Sequence, residues 1–131
     1  MHPTLEPGEY VLFDRLAFCR RQPRRGEVVL ARHPHQPELR IIKRVFGLPG
    51  EKVAIRDGHI WLNEQIYEDS LGADMPEIAG EWRLTPEQYF LLGDALEMSN
   101  DGRHFGPTER NEILARAWLV YWPPKMIRVV R

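Results

Sequence analysis

The sequence predicts an all-β domain, a coiled antiparallel sheet or partly open barrel with at most a short helical turn. Two observations carry that expectation. β-branched and aromatic residues come in short runs rather than at helical spacing. Eleven prolines and ten glycines among 131 residues bound those runs, as turns between short elements require. In chain order, Pro3 fixes an extended entry and Pro7-Gly8 turns the chain into a strand, GEYVLFDR (8–15). GEVVLARH (26–33) and LRIIKRVFG (39–47) follow. KVAIRDGHIWLN (52–63) is two runs joined by Asp57-Gly58, the signal of a type I′ hairpin turn. Residues 68–84 show no clear period and read as a loop or insertion. EQYFLLGD (87–94), RAWLVYWP (116–123) and KMIRVV (125–130) complete the strands. Between them, TERNEILAR (108–116) reads as one helical turn with Thr108 as its N-cap.

Composition bounds the function. Residues 1–131 suit a single domain with one core, and a hydrophobic content of 43% excludes disorder. Eighteen basic against 19 acidic residues give a net charge of -1, so there is no global drive toward nucleic acid. Cys19 is the sole cysteine, which rules out an intramolecular disulfide. No run approaches the roughly 20 apolar residues of a membrane span and no signal peptide is visible, so the 131 residues themselves read as soluble.

Three stretches carry chemistry. MHPTLEPGEYVL opens the chain, IIKRVFGLPGE (41–51) places a lysine at the end of an apolar run before a Gly/Pro turn, and LLGDALEMSNDGRHFGP (91–107) runs from a strand into a polar loop. Met1-His2-Pro3-Thr4-Leu5 with Gly8-Glu9, then Gly26-Glu27-Val28-Val29, then Lys43 to Glu51, then Gly93-Asp94, Ser99, Asp101, Arg103 and Phe105-Gly106-Pro107 follow one another in order. In these boxes the chain resembles the signal peptidase I family (peptidase S26-like), serine proteases with a Ser/Lys dyad. Glu9 and Glu51 stand where the family pattern has Asp, and Ala95 and Gly102 depart from the last box.

The resemblance implies a signal-peptidase-like sheet and a serine endopeptidase that removes leader peptides from exported proteins after Ala-x-Ala. Lys43 would be the general base. A free lysine is roughly 3 units too basic for that near neutral pH, and burial among apolar groups lowers it. In a strand Lys43 shares a face with Ile41 and Val45, which is the surrounding that desolvation needs. By family position Ser99 would orient the Lys43 amine, and Asp101 and Arg103 would pair to support their loop, with Asp94 a further supporting residue. An extended peptide would add as a strand beside Arg40, Ile41 and Ile42, near Met1 and Pro3. The nucleophilic serine of the family directly precedes the Met of the first box, and here that Met is residue 1. Ser70 and Ser99 are the only serines, and neither is at that position. Two readings compete: a longer natural chain that supplies the serine, the oxyanion-hole residues and a membrane anchor, or a homologue without catalysis that binds extended peptides. The start at the motif Met favours the first. A Ser/Lys processing peptidase for one small precursor and a self-cleaving repressor-type domain are further alternatives. The expected partner is a leader-bearing precursor, with a membrane surface on the extracytoplasmic side in the full-length family context. No cofactor, metal or nucleic acid is implied.

The remaining signals are weaker. CRRQPRR (19–25) packs four arginines into seven residues and reads as a solvated loop, a phosphate or anionic-lipid contact being the alternative. His33 and His35 would share a strand face without a third ligand. Trp61, Trp82, Trp118 and Trp122 read as core or sheet-face residues.

Overall fold

The structure is a computed structural model and describes residues 1–67, 79–94 and 100–131. Two antiparallel sheets form, and neither closes into a barrel. The larger contains β1 (Tyr10–Asp14), β2 (Val28–His33), β3 (Gln36–Gly47), β8 (Gln88–Leu92), β9 (Thr108–Glu109), β10 (Ile113–Trp122) and β11 (Arg128–Val129), in the order β1-β10-β2-β3-β8-β9 with β11 beside β10. The smaller has the order β6-β5-β4-β7, from β4 (Lys52–Arg56), β5 (His59–Leu62), β6 (Gln65–Ile66) and β7 (Gly80–Arg83).

Alternation along the strands decides which side chains meet. β8 is buried from Tyr89 to Leu92, because its two faces serve two cores. Phe90 and Leu92 join Phe46, Val53, Ile55, Ile60 and Leu84 between the sheets. Tyr89 and Leu91 join Val29, Ala31, Val45 and Ile113 on the opposite face, with Phe18 and Ile41 packed at the margin. Gly47 lets the sheets approach: a Cβ there would lie 2.8 Å from Cβ of Phe90 and 2.9 Å from Val53 and Leu84. The β4–β5 hairpin turns through Asp57 and Gly58, both at positive φ (53° and 73°), the type I′ geometry the sequence predicts. Asn63 and Glu64 repeat it (50° and 67°) and add β6.

Four expectations need correction. Of the segment expected to be loop, residues 68–78 lie outside the described residues, but Gly80–Arg83 is a strand paired to Lys52–Ile55 and Leu84 is core. Four residues alternating Trp82 inward give too short a signal beside an unpatterned stretch. Residues 108–116 are not a capped helical turn: Thr108–Glu109 pairs with β8, Arg110–Glu112 is one 3-10 turn without a side-chain cap, and Ile113 already begins β10. Helices form instead at α1 (Ala17–Arg20) and α2 (Gly102–Phe105), α2 being fixed by Asp101, whose carboxylate accepts from the Arg103 N–H. Pro3 does not start an extended entry, since residues 2–4 turn and the Leu5 N–H donates to the Met1 carbonyl at 2.9 Å. His35 stands in the turn after β2 rather than on the strand, its N–H donating to Nδ1 of His33 at 3.1 Å. The tryptophans are core or sheet-face residues, as expected: Trp118 and Trp122 stand exposed on the face of β10, and Trp82 packs against the inter-sheet core.

Candidate active site

β3 carries adjacent basic residues to opposite faces of the larger sheet. Lys43 lies directly across from Val29, which is fully buried. Its neighbours on that face are Ile41 and Val45, both part of the core around Val29. Lys43 is therefore only partly exposed. Burial pushes its amine below the ordinary lysine value; the charge of Asp101 pulls the other way, and that of Arg103 adds to the lowering.

Asp101 and Arg103 lie at the start of α2, their side chains wholly inaccessible. The guanidinium is bidentate, Nε donating to Oδ1 at 2.8 Å and a terminal nitrogen to Oδ2 at 2.9 Å. Asp101 Oδ2 also accepts from the Gly93 N–H at 2.9 Å. One carboxylate thus ties the end of β8 to α2 and closes the polar loop between them. Ser99 lies in that loop, outside the described residues.

Arg44 reaches the other face. Its guanidinium donates to both oxygens of Asp94, at 2.8 and 2.9 Å, and to the Thr4 hydroxyl at 2.8 Å; Thr4 in turn donates to Asp94. Burial raises the Asp94 pKa, but the hydrogen bonds from Arg44 and Thr4 and the positive charge of Arg44 and the Met1 ammonium outweigh it, and Asp94 is held below the usual range. The first, third and last boxes meet here. The other acidic box residues are likewise held by arginine: Glu9 by Arg128 at 2.7 Å, Glu51 by Arg25 at 2.7 Å, and Glu27 by Arg21. The sequence reading paired none of these arginines with its acid, although Arg44 stands inside a motif and Arg21 and Arg25 inside CRRQPRR.

Arg40, Ile42 and Met1 line one groove of about 470 Å³ with Leu5 and Val11. Pro3 is not among its lining residues, and Ile41 turns away into the core. Among the described residues β8 pairs with β3 only from Arg44 to Gly47, so no strand covers the far edge of β3 from Gln36 to Lys43. No helix among the described residues is long and apolar enough to cross a membrane.

The family model "Signal peptidase, peptidase S26" matches residues 1–122, which takes in every box described above. The chain belongs to that family. It is 30% identical over 132 residues to a probable signal peptidase I-2 of Synechocystis, covering 94% of this chain and 59% of the relative. Signal peptidase I of Leptolyngbya laminosa is 31% identical, with 94% and 64% covered. Thylakoidal processing peptidase 1 of Arabidopsis thaliana is 28% identical, with 97% and 41% covered. The chain thus spans about two fifths to two thirds of the length of these relatives. Among solved structures, a signal peptidase I from Enterococcus faecalis shares the fold, with a TM-score of 0.57 at 22% identity over 73% of this chain and 97% of that one.

Proposed function

We propose that this signal peptidase family domain is the catalytic part of a serine endopeptidase that removes leader peptides from exported precursors. Lys43 is the general base of that reaction. The observation that carries the reading is a partly buried lysine sharing its strand face with Ile41 and Val45, on a strand whose far edge is open among the described residues. The precursor adds as an extended strand along that edge, and a small residue sits against Ile42. A serine immediately before Met1 attacks the scissile carbonyl, and its hydroxyl proton passes to neutral Lys43 Nζ. The lysine then returns that proton to the departing amine as the tetrahedral intermediate collapses to the acyl-enzyme. Water, deprotonated by the same amine, releases the acyl group. Ser99 orients the amine, the Asp101–Arg103 pair anchors the loop that carries it, and the Arg44–Asp94–Thr4 cluster fixes the first box against β3.

An exposed apolar surface supports a membrane setting. Tyr10, Trp118, Trp122, Ile127 and Val129 stand out on β1, β10 and the segment 127–129, each about half exposed (47–59%). Tyr10 stacks near Tyr121 and Trp122, with ring centres 6.0 and 6.4 Å away. Amphipathic rings of this kind suit the level of lipid headgroups.

The test is cleavage of an Ala-x-Ala peptide by the chain carrying a serine directly before Met1. Cleavage that disappears in Lys43→Ala is expected. An inactive serine-bearing chain would overturn the enzyme reading. Binding of the same peptide without cleavage would favour the second reading, a peptide-binding homologue. The intact mass of the protein from its native cells decides which form exists.

A further inference from the structure

The site described above leaves one basic pair unused. The register of β2 and β3 sets Arg32 directly opposite Arg40. Side chains so placed share a face with Cβ atoms roughly 5 Å apart, and like charges there repel. Elsewhere in the chain, the arginines 21, 25, 44, 103 and 128 each hold a carboxylate. Among the described residues neither Arg32 nor Arg40 makes a side-chain hydrogen bond or ion pair. The acids nearby do not relieve them. Of those lining the groove with Arg40, Glu6 is held by His2 at 2.8 Å and Glu9 by Arg128. Glu38, two residues before Arg40 on the same strand, pairs with neither.

The position of the pair identifies its ligand. Arg40 and Ile42 alternate onto one face and line the same groove, roughly 6 to 7 Å apart along the strand. Both lie where the edge of β3 has no partner strand among the described residues. A peptide added at that edge repeats the same spacing, so its side chain near Arg40 is two residues from the one near Ile42.

We propose that Arg32 and Arg40 form an anion subsite that reads a carboxylate side chain of the bound peptide, two residues from the small residue seated against Ile42. This rests on the leader-peptidase reading and narrows its substrates to precursors with Asp or Glu at that spacing. Two guanidinium forks on directly paired strand positions suit a carboxylate, which accepts paired N–H bonds.

The experiment uses fluorescence anisotropy with the 131-residue chain, so no catalysis is needed. Labelled Ala-x-Ala peptides carry a single Asp at each position on either side of the small residues, each matched by an Asn peptide. At one position, two residues from a small residue, Asp is expected to bind about fivefold more tightly than Asn, as for a well-formed exposed ion pair. The preference shrinks in high salt, is lost in Arg40→Gln and Arg32→Gln, and turns toward a Lys peptide in Arg40→Glu. Lys125→Gln leaves it unchanged. Equal binding of Asp and Asn peptides at every position, while the parent peptide still binds, overturns the subsite and leaves the peptidase reading standing. Failure of every peptide to bind, with no cleavage by the serine-bearing chain, removes both. If phosphatidylglycerol vesicles bind the chain through these two arginines and the peptides show no Asp preference, the pair reads lipid phosphate and the subsite is wrong.

Discussion

Lys43 and Arg44 are adjacent on one strand, both basic, and shifted in opposite directions. For Arg44 the largest influence is the hydrogen bond to Asp94, which raises its pKa and keeps it a fixed cation. For Lys43 the largest is burial, which lowers it. The strand alternation alone separates them: one face delivers Arg44 to Asp94 and Thr4, and the other sets Lys43 among Ile41, Val45 and Val29. The comparison teaches that charge type does not decide role here. A cation gripped by a carboxylate braces the fold, whereas one partly deprived of water is shifted toward its neutral form, which the proposed base requires.

The largest effect that could break this contrast is on activity. In the serine-bearing chain, Lys43→Ala should lower kcat/KM by about 10³-fold or more, in the upper range for a general base, with circular dichroism and Tm little changed. Lys43→Arg should fail as fully, because a guanidinium does not give up its proton. The rate should rise with pH through an apparent pKa below the ordinary lysine value of 10.5. Stability should move the other way on substitution. A base with a lowered folded pKa binds fewer protons folded than unfolded, so its burial destabilises the fold at neutral pH and ceases to do so above pH 10.5. Lys43→Met should therefore raise Tm at pH 7 and lose that advantage at high pH. Unchanged turnover in Lys43→Ala would return Lys43 to the status of a structural side chain.

Next in size is the Asp101–Arg103 pair. Asp101→Ala takes the bidentate carboxylate from a wholly buried guanidinium and frees the Gly93 N–H. The expected cost is about 3 to 5 kcal/mol, read by urea unfolding. A loss under about 1 kcal/mol would mean that water or other groups around Arg103 make up for the carboxylate. Gly47→Ala ranks below it. The added methyl must enter space within 2.9 Å of three core side chains, so about 1 to 3 kcal/mol is expected. A neutral result would show that the two sheets part more easily than their packing indicates.

Much of this architecture could be read locally. The runs around Val11, Val29, Ile42 and Phe90 announce strands, Asp57-Gly58 announces its turn, and the spacing of Ile41, Lys43 and Val45 puts the lysine on an apolar face. What could not be read was long-range. Glu9 meets Arg128, Glu51 meets Arg25 and Asp94 meets Arg44 across separations of 119, 26 and 50 residues, and no period in the sequence encodes such pairs. Gly80–Arg83 and α2 were missed because each is four residues long, too short for a period to stand out, and their stability comes from β4 and from the buried Asp101.

The smallest effect tests the other half of the contrast, the grip on Arg44. Asp94 is held below its ordinary value, so it binds fewer protons folded than unfolded between those two values. Its contribution to stability is complete above the unfolded pKa of 3.8 and disappears as pH falls through the lower folded value. Asp94→Asn should therefore cost about 1 kcal/mol at pH 7, as expected for a partly exposed pair, and progressively less as pH falls below 3.8. The difference between the two chains isolates Asp94 from Glu27 and Glu51, which are lowered as well and titrate in both. A gap that persists unchanged into acid would assign the cost to the amide's geometry against Thr4 rather than to charge. In that event Arg44 would be braced by shape, and the opposition between Arg44 and Lys43 would lose its electrostatic basis.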